Sequence, residues 1–250
     1  MIKLSPKVKA ALIKIDFVKR YEELVSDKTN NFSKIMDFIK ELQTNVTEEK
    51  ISFYFNLLKD ERNVRLFLTL RAFFDKYGKQ GESFLLNFLS KNDTADTKLI
   101  SEAIMILSSH NYQCKAVLPY IYKYLTSADE ELRYKSIIAL GWIGEKNDFS
   151  KLKESVKNET SLSNKGYALS AMRQMFFRLP QLKNNILDVY RYEIESADND
   201  EIIFVIGVCV QDLLGKKLYI TEDEHGIHSK ESADIVKTKV MKILSKEILN

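Results

Sequence analysis

Glycine and proline are scarce in this 250-residue chain, at 8 and 3 residues. The many tight turns of an all-β protein have too few residues to make them, so the chain is expected to be predominantly helical. Only two cysteines occur, Cys114 and Cys209, which excludes a disulfide framework and reads as two buried thiols of a reducing compartment, the cytoplasm by default. Long apolar runs are missing as well. The longest, residues 202–210, is closed off by Glu201 and Asp212 and is about half the roughly 20 residues a membrane span needs. Residues 1–17 carry lysines at intervals and never open into a secretory signal, so export is not expected. There is no glycine-rich phosphate loop and no serine or cysteine in a nucleophile-elbow context. The sequence therefore indicates a non-enzymatic protein without cofactor or metal.

What is present suffices for a large core: 45% hydrophobic residues and 29% charged ones exclude disorder. The net charge of +3 hides a polarity. Residues 1–189 hold 30 bases and 23 acids, whereas residues 190–250 hold 8 bases and 12 acids. The acids cluster at Glu193, Glu195, Asp198, Asp200 and Glu201, and again at Glu222, Asp223 and Glu224. No basic stripe emerges, and arginine, the residue best suited to phosphate and guanine, numbers 8 against 30 lysines. Nucleic-acid binding is accordingly not expected.

The most informative stretch is residues 129–159. Asp129 suits an N-cap with Glu130 and Glu131 in the first turn, and Leu132, Ser136, Ala139, Leu140 and Ile143 fall on one helical face. Gly144 suits a left-handed C-terminal cap, Asn147 and Asp148 offer the next start, and Leu152, Ser155 and Val156 carry a second, shorter helix. This helical hairpin resembles the HEAT-type repeat in its short bacterial form through Leu132, Arg133, Ala139, Leu140, Gly141, Ile143 and Gly144. The resemblance implies an α-solenoid in which small residues at Ala139 and Gly141 let neighbouring helices approach.

Recurrence supports the repeat. Acidic starts at Asp60, Asp93, Asp129 and Asp198, with a divergent one near Ser161, keep a period of roughly 35 residues. The fold expected is an all-α, right-handed solenoid of HEAT-like hairpins. Residues 1–59 form a helical cap and irregular first hairpin, and residues 60–250 one continuous domain of repeats at about 60–92, 93–128, 129–160, 161–197 and 198–250. Asn31 and Thr47 are candidate caps upstream. Residues 202–210 read as either strand or helix, and the repeat register favours helix. Residues 218–229 alone break the helical pattern and are expected to form a short β-hairpin or loop. There His225 and His228 stand in H-x-x-H spacing beside carboxylates, but Gly226 spoils the helical geometry a metal pair requires, and a solvated loop is the reading kept.

Such a surface points to a protein partner. Trp142, the single tryptophan, is either packed or an exposed anchor, and Tyr122 points away from Tyr120 and Tyr124 on its helix, next to Lys123. Lysine-rich repeats ending in an acidic region resemble a bacterial immunity protein, which implies a cognate toxin, a basic nuclease for instance, steered by the acidic clusters. A general scaffold or complex subunit is the alternative. Solenoid DNA glycosylases, and lyases or chaperones acting on tetrapyrrole-bearing proteins, are weaker ones.

Overall fold

The computed structural model describes residues 6–29, 31–91, 96–223 and 226–247, with side chains from residue 16 onward. Among these, helices supply nearly all regular structure and the sheet is a single two-stranded hairpin. The fold is all-α, with HEAT-like helical hairpins and a small β insertion. Two compact units are present, Met1–Ile106 and Leu107–Asn250.

The first unit contains α1 (Pro6–Ser26), α2 (Phe32–Leu42), α3 (Glu48–Leu57), α4 (Val64–Phe73), α5 (Gly78–Lys91) and most of α6 (Thr97–Ser108). Asn31 and Thr47 cap α2 and α3 as their sequence positions suggest, each accepting a backbone N–H three residues on. The start of α4 differs from expectation. Asn63 is its N-cap, because the Asp60 carboxylate is engaged by Arg62 at 2.9 Å from Nε. Asp93 lies outside the described residues. The core is aromatic: Phe55 meets Phe74, Phe84 and Phe88 edge-on, and the buried Tyr54 donates its hydroxyl to Leu70 O.

The second unit runs α7 (Leu118–Tyr124), α8 (Glu130–Ile143), α9 (Phe149–Asn158), α10 (Leu162–Arg178), α11 (Lys183–Ser196), α12 (Asp200–Leu214), β1 (Ile220–Asp223), β2 (Gly226–Ser229) and α13 (Ala233–Glu247). Here α8 packs on α10 and α10 on α12, while α9 and α11 line the other side of that stack. This nearest-neighbour burial is what a repeat array requires. Asp129, Ser161 and Asn199 cap α8, α10 and α12; the last replaces the expected Asp198 by one position. Four residues after the first two caps stand Arg133 and Lys165, and each reaches a glutamate at the end of the following helix, Glu159 and Glu193.

Two glycines act through space. A Cβ on Gly141 would stand 2.8 Å from Ala171 Cβ, so α8 and α10 touch there. Gly144 is not left-handed as its cap position suggested. Its φ is −58° and ψ 153°, and glycine is needed because a Cβ would meet Leu140 O at 2.5 Å. The chain leaves α8 extended and enters a 3-10 turn, Lys146–Asp148, where Asp148 accepts the Glu145 N–H.

The strand-like run in α12 is helical because the helix is buried almost all round. Ile202, Ile203, Val205, Ile206, Val208, Cys209 and Val210 are all inside. The β-hairpin completes the enclosure. Ile220 pairs with Ser229 and Asp223 with Gly226. Ile220 and Leu218 are buried, and Ile220 sits over Gly207, the position on α12 with room for it. Gln211 holds the incoming strand like a neighbouring backbone: its Nε2 donates to Ile220 O at 3.1 Å and its Oε1 accepts from Leu218 N at 2.9 Å.

Candidate binding surface

On α8, residues 132, 136, 139, 140 and 143 are spent on the core, which leaves Tyr134, Ile138 and Trp142, spaced by four, along the opposite face. On α10 the corresponding face carries Tyr167, Ser170, Gln174 and Phe177, and on α12 it carries Glu201 and Phe204. These faces lie side by side. Tyr134 and Tyr167 stack across the two helices with ring centroids 4.4 Å apart, and Tyr167 is 40% exposed. The hairpin closes one side and creates a cleft of about 590 Å³. Its lining includes Tyr167, Arg173, Glu201, Phe204, Glu222 and Asp223.

Arg173 organises the charge. Its Nη1 donates to Asp212 at 3.1 Å and its Nη2 to Glu222 at 2.7 Å, joining α10, α12 and β1. Burial opposes that charge, but Cys209, Glu222 and Asp212 outweigh it and hold the guanidinium above its ordinary range. Asp223 faces His228 Nε2 at 3.2 Å. Glu201, Glu222 and Asp223 outnumber Arg173, itself shared with Asp212, so the wall is net acidic. Apolar rings beside a surplus of carboxylates suit a basic side chain carried on an apolar stem.

The expected site residues are distributed as follows. Glu201, Glu222 and Asp223, drawn from both acidic clusters, converge on one cleft. Glu195, Asp198 and Asp200 are exposed at the turn between α11 and α12. Glu193 is buried, 2.6 Å from Lys165, so its charge is consumed inside the fold. Glu224 and His225 lie outside the described residues. Trp142 is half-buried in an adjoining cleft of about 450 Å³. Tyr122 stands on α7, half-buried, and donates its hydroxyl to Asp148 at 2.7 Å; burial and that carboxylate push its phenol up to about 12. Lys123 is exposed over the Tyr124 ring. Neither α7 residue lines the acidic cleft.

Sequence reasoning missed Tyr134, Tyr167, Arg173 and Phe204. The signal available was the second stripe on α8, Tyr134, Ile138 and Trp142, which the core of that helix does not need. Cys114 and Cys209 are both buried and are not joined in a disulfide, and burial pushes the Cys209 thiol up to about 11. Among the described residues no group of three or more His, Cys, Asp or Glu is arranged to hold a metal, and no helix is long and apolar enough to cross a membrane.

The family model for HEAT repeats matches residues 82–173. That stretch takes in α6 to α9 whole, with most of α5 and most of α10. No curated protein matches the chain.

Proposed function

We propose that the face shared by α8, α10 and α12 grips one protein partner, the role HEAT repeats generally serve. The observation that carries this reading is the cleft itself, where Tyr167 and Phe204 stand beside Glu201, Glu222 and Asp223. Aromatic anchors inside a charged rim are the usual composition of an interface hot spot.

In its sharper form, the protein is an immunity protein that neutralises a basic nuclease toxin in the cytoplasm. The acidic wall supports it, since carboxylates steer a basic partner and occupy the sites where a nuclease holds phosphate. The same wall disfavours a solenoid glycosylase, because Glu201, Glu222 and Asp223 would repel a DNA backbone. A general scaffold needs the aromatic face without the charge complementarity.

Calorimetric titration against the purified product of the neighbouring reading frame tests the reading. One-to-one binding that weakens with salt is the expected result. Binding that ignores salt would replace the immunity role with the scaffold. Absence of binding, together with an unchanged set of cross-linked cellular partners in a Tyr167→Ala, Phe204→Ala variant, would remove the face from consideration.

A further inference from the structure

Across Gln174 from the acidic cleft lies the second one, of about 450 Å³, lined by Ser108, His110, Trp142, Gln174, Phe177 and Arg178 among others. Two polar atoms of its lining residues are buried and make no hydrogen bond among the described residues: Ser108 Oγ, on a residue 1% exposed, and Gln174 Oε1. Folded proteins leave few such groups unpaired, because each forfeits its hydration without recompense. The atoms themselves are closed off from solvent, but both residues line a cavity within the size range of small-molecule sites, roughly 300–1,000 Å³.

Arg178 adds a third incomplete group. Its Nη2 donates to Gly141 O at 2.8 Å and Gly144 O at 3.0 Å, at the C-terminal end of α8. Its Nε and Nη1 make no hydrogen bond among the described residues, and no carboxylate pairs with it there. The other arginines of this unit, Arg133, Arg173 and Arg191, each hold one. The carbonyls at the helix C-terminus, about half a negative charge, offset the guanidinium only in part, and burial pulls its pKa below the ordinary range, so the cleft has room for a further acceptor. Trp142 supplies a half-buried ring, and Phe177 one that is 61% exposed.

We propose that this cleft binds a planar heteroaromatic ring with acceptors and donors along its edge, a nucleobase carried by a free nucleoside or nucleotide. The chemistry matches group by group. Arginine N–H groups pair with adjacent ring acceptors, as with O6 and N7 of guanine. Turned into the cleft by rotation of its side chain, Gln174 Oε1 takes a ring or exocyclic N–H and the Ser108 hydroxyl pairs with either kind of group, while the two aromatic side chains offer stacking faces. This cleft adjoins the protein-binding one on the same α8 and α10 faces and shares Gln174 with it, but its ligand chemistry does not depend on that reading.

Trp142 is the only tryptophan in the chain, so its fluorescence reports this cleft directly. The intact protein is titrated with GMP, AMP, CMP and UMP, with guanosine, with ribose 5-phosphate as the ring-free control, and with N-acetyltyrosinamide as a mimic of a partner's side chain. Saturable quenching by at least one nucleotide and none by ribose 5-phosphate is expected. Gln174→Leu and Phe177→Ala should each weaken the response about fivefold or more, since each removes one recognition element. Phe177 is exposed, so its variant should melt like the parent and keep the test valid if the Gln174 variant misfolds. Four results would overturn the proposal: no saturable change up to about 10 mM of any nucleotide, far weaker than small-molecule recognition; equal quenching by ribose 5-phosphate; undiminished binding in the Phe177 variant; or saturation by N-acetyltyrosinamide alone, which would make the cleft a socket for a partner's side chain.

Discussion

Arg133 forks onto Glu159, with Nε 2.9 Å from Oε2 and Nη2 2.8 Å from Oε1, and the Glu159 side chain is only 3% exposed. The carboxylate also accepts the Thr160 and Ser161 N–H groups and faces Asn164 Nδ2, which itself donates to Glu130 O. One glutamate thereby ties α8, the end of α9 and the start of α10. The Arg133 hydrogen bonds first, and the Ser161 N–H and Asn164 with them, outweigh burial and hold its carboxyl at about 2.

This pair should show in acid. Glu159 titrates lower folded than unfolded, so its contribution is full above about pH 4.3, the unfolded value, and is lost as pH falls through about 2; the shift is on the order of 3 kcal/mol. Glu159→Gln should cost about 2 to 4 kcal/mol at neutral pH, because it leaves Arg133 without its charge partner. Thermal unfolding followed by circular dichroism checks both. Parent and variant should converge between pH 4 and 2, and parallel curves over that window would show that the pair contributes nothing.

Gly141 provides a packing test. Its missing side chain faces Ala171, with a built Cβ 2.8 Å from Ala171 Cβ and 3.0 Å from Ala171 Cα. Backbone-anchored atoms cannot swing aside. Gly141→Leu should destabilise by about 1 to 3 kcal/mol through overpacking, despite leucine's better helix propensity. The chemical-denaturation midpoint reads the outcome, and an unchanged midpoint would show that α8 and α10 do not meet at this glycine.

The hairpin of α8 and α9 was legible because its signals are local: an acidic cap, an apolar stripe and glycines where the helix must end. The same holds for α12, whose β-branched residues suggest a strand until the repeat register intervenes. What the sequence withheld depends on neighbours. Glu193 reads as a surface acid and is buried, because Lys165 from α10 meets it. Gly144 reads as left-handed, yet its constraint comes from Leu140 O. Tyr134 and Tyr167 are more than thirty residues apart and become one feature only when α8 and α10 lie together. The two acidic clusters likewise seem like alternatives until the β-hairpin folds over α12 and brings Glu222 and Asp223 to the cleft that Glu201 lines.

Gln211 should prove to be the latch of that hairpin. It is the α12 side chain that bonds both the N–H of Leu218 and the carbonyl of Ile220. Gln211→Ala removes these bonds and should cost about 1 to 3 kcal/mol if the freed backbone groups stay shielded, less if water reaches them. Amide hydrogen exchange should accelerate at Leu218 and Ile220 while α8 and α10 keep their protection. Unaltered exchange at those two amides would mean that the apolar seat over Gly207 alone holds the hairpin.

The acidic residues separate by position into two groups, and binding should separate with them. Glu201, Glu222 and Asp223 line the cleft beside Tyr167 and Phe204, where a bound cation would lose its water; Glu195, Asp198 and Asp200 stand exposed at the α11–α12 turn. Truncating one member of a desolvated charge pair costs about 2 to 5 kcal/mol and acts on dissociation, whereas rim charges set the association rate. The variant Glu201→Gln, Glu222→Gln, Asp223→Asn should therefore weaken partner binding at least thirtyfold, at the low end of that range. The variant Glu195→Gln, Asp198→Asn, Asp200→Asn should slow association a few-fold and flatten its salt dependence with little change in dissociation. Because Glu222 also pairs with Arg173, a second cleft variant that leaves Glu222 intact, Glu201→Gln with Asp223→Asn, keeps the Arg173–Glu222 ion pair that joins the hairpin to α10 and gives up only the exposed Asp223–His228 contact. Surface plasmon resonance at two salt concentrations resolves both rate constants. Unchanged rates in all three variants would clear the acidic end of any role and move the search to Tyr122 and Lys123 on α7 and to Trp142 in the neighbouring cleft.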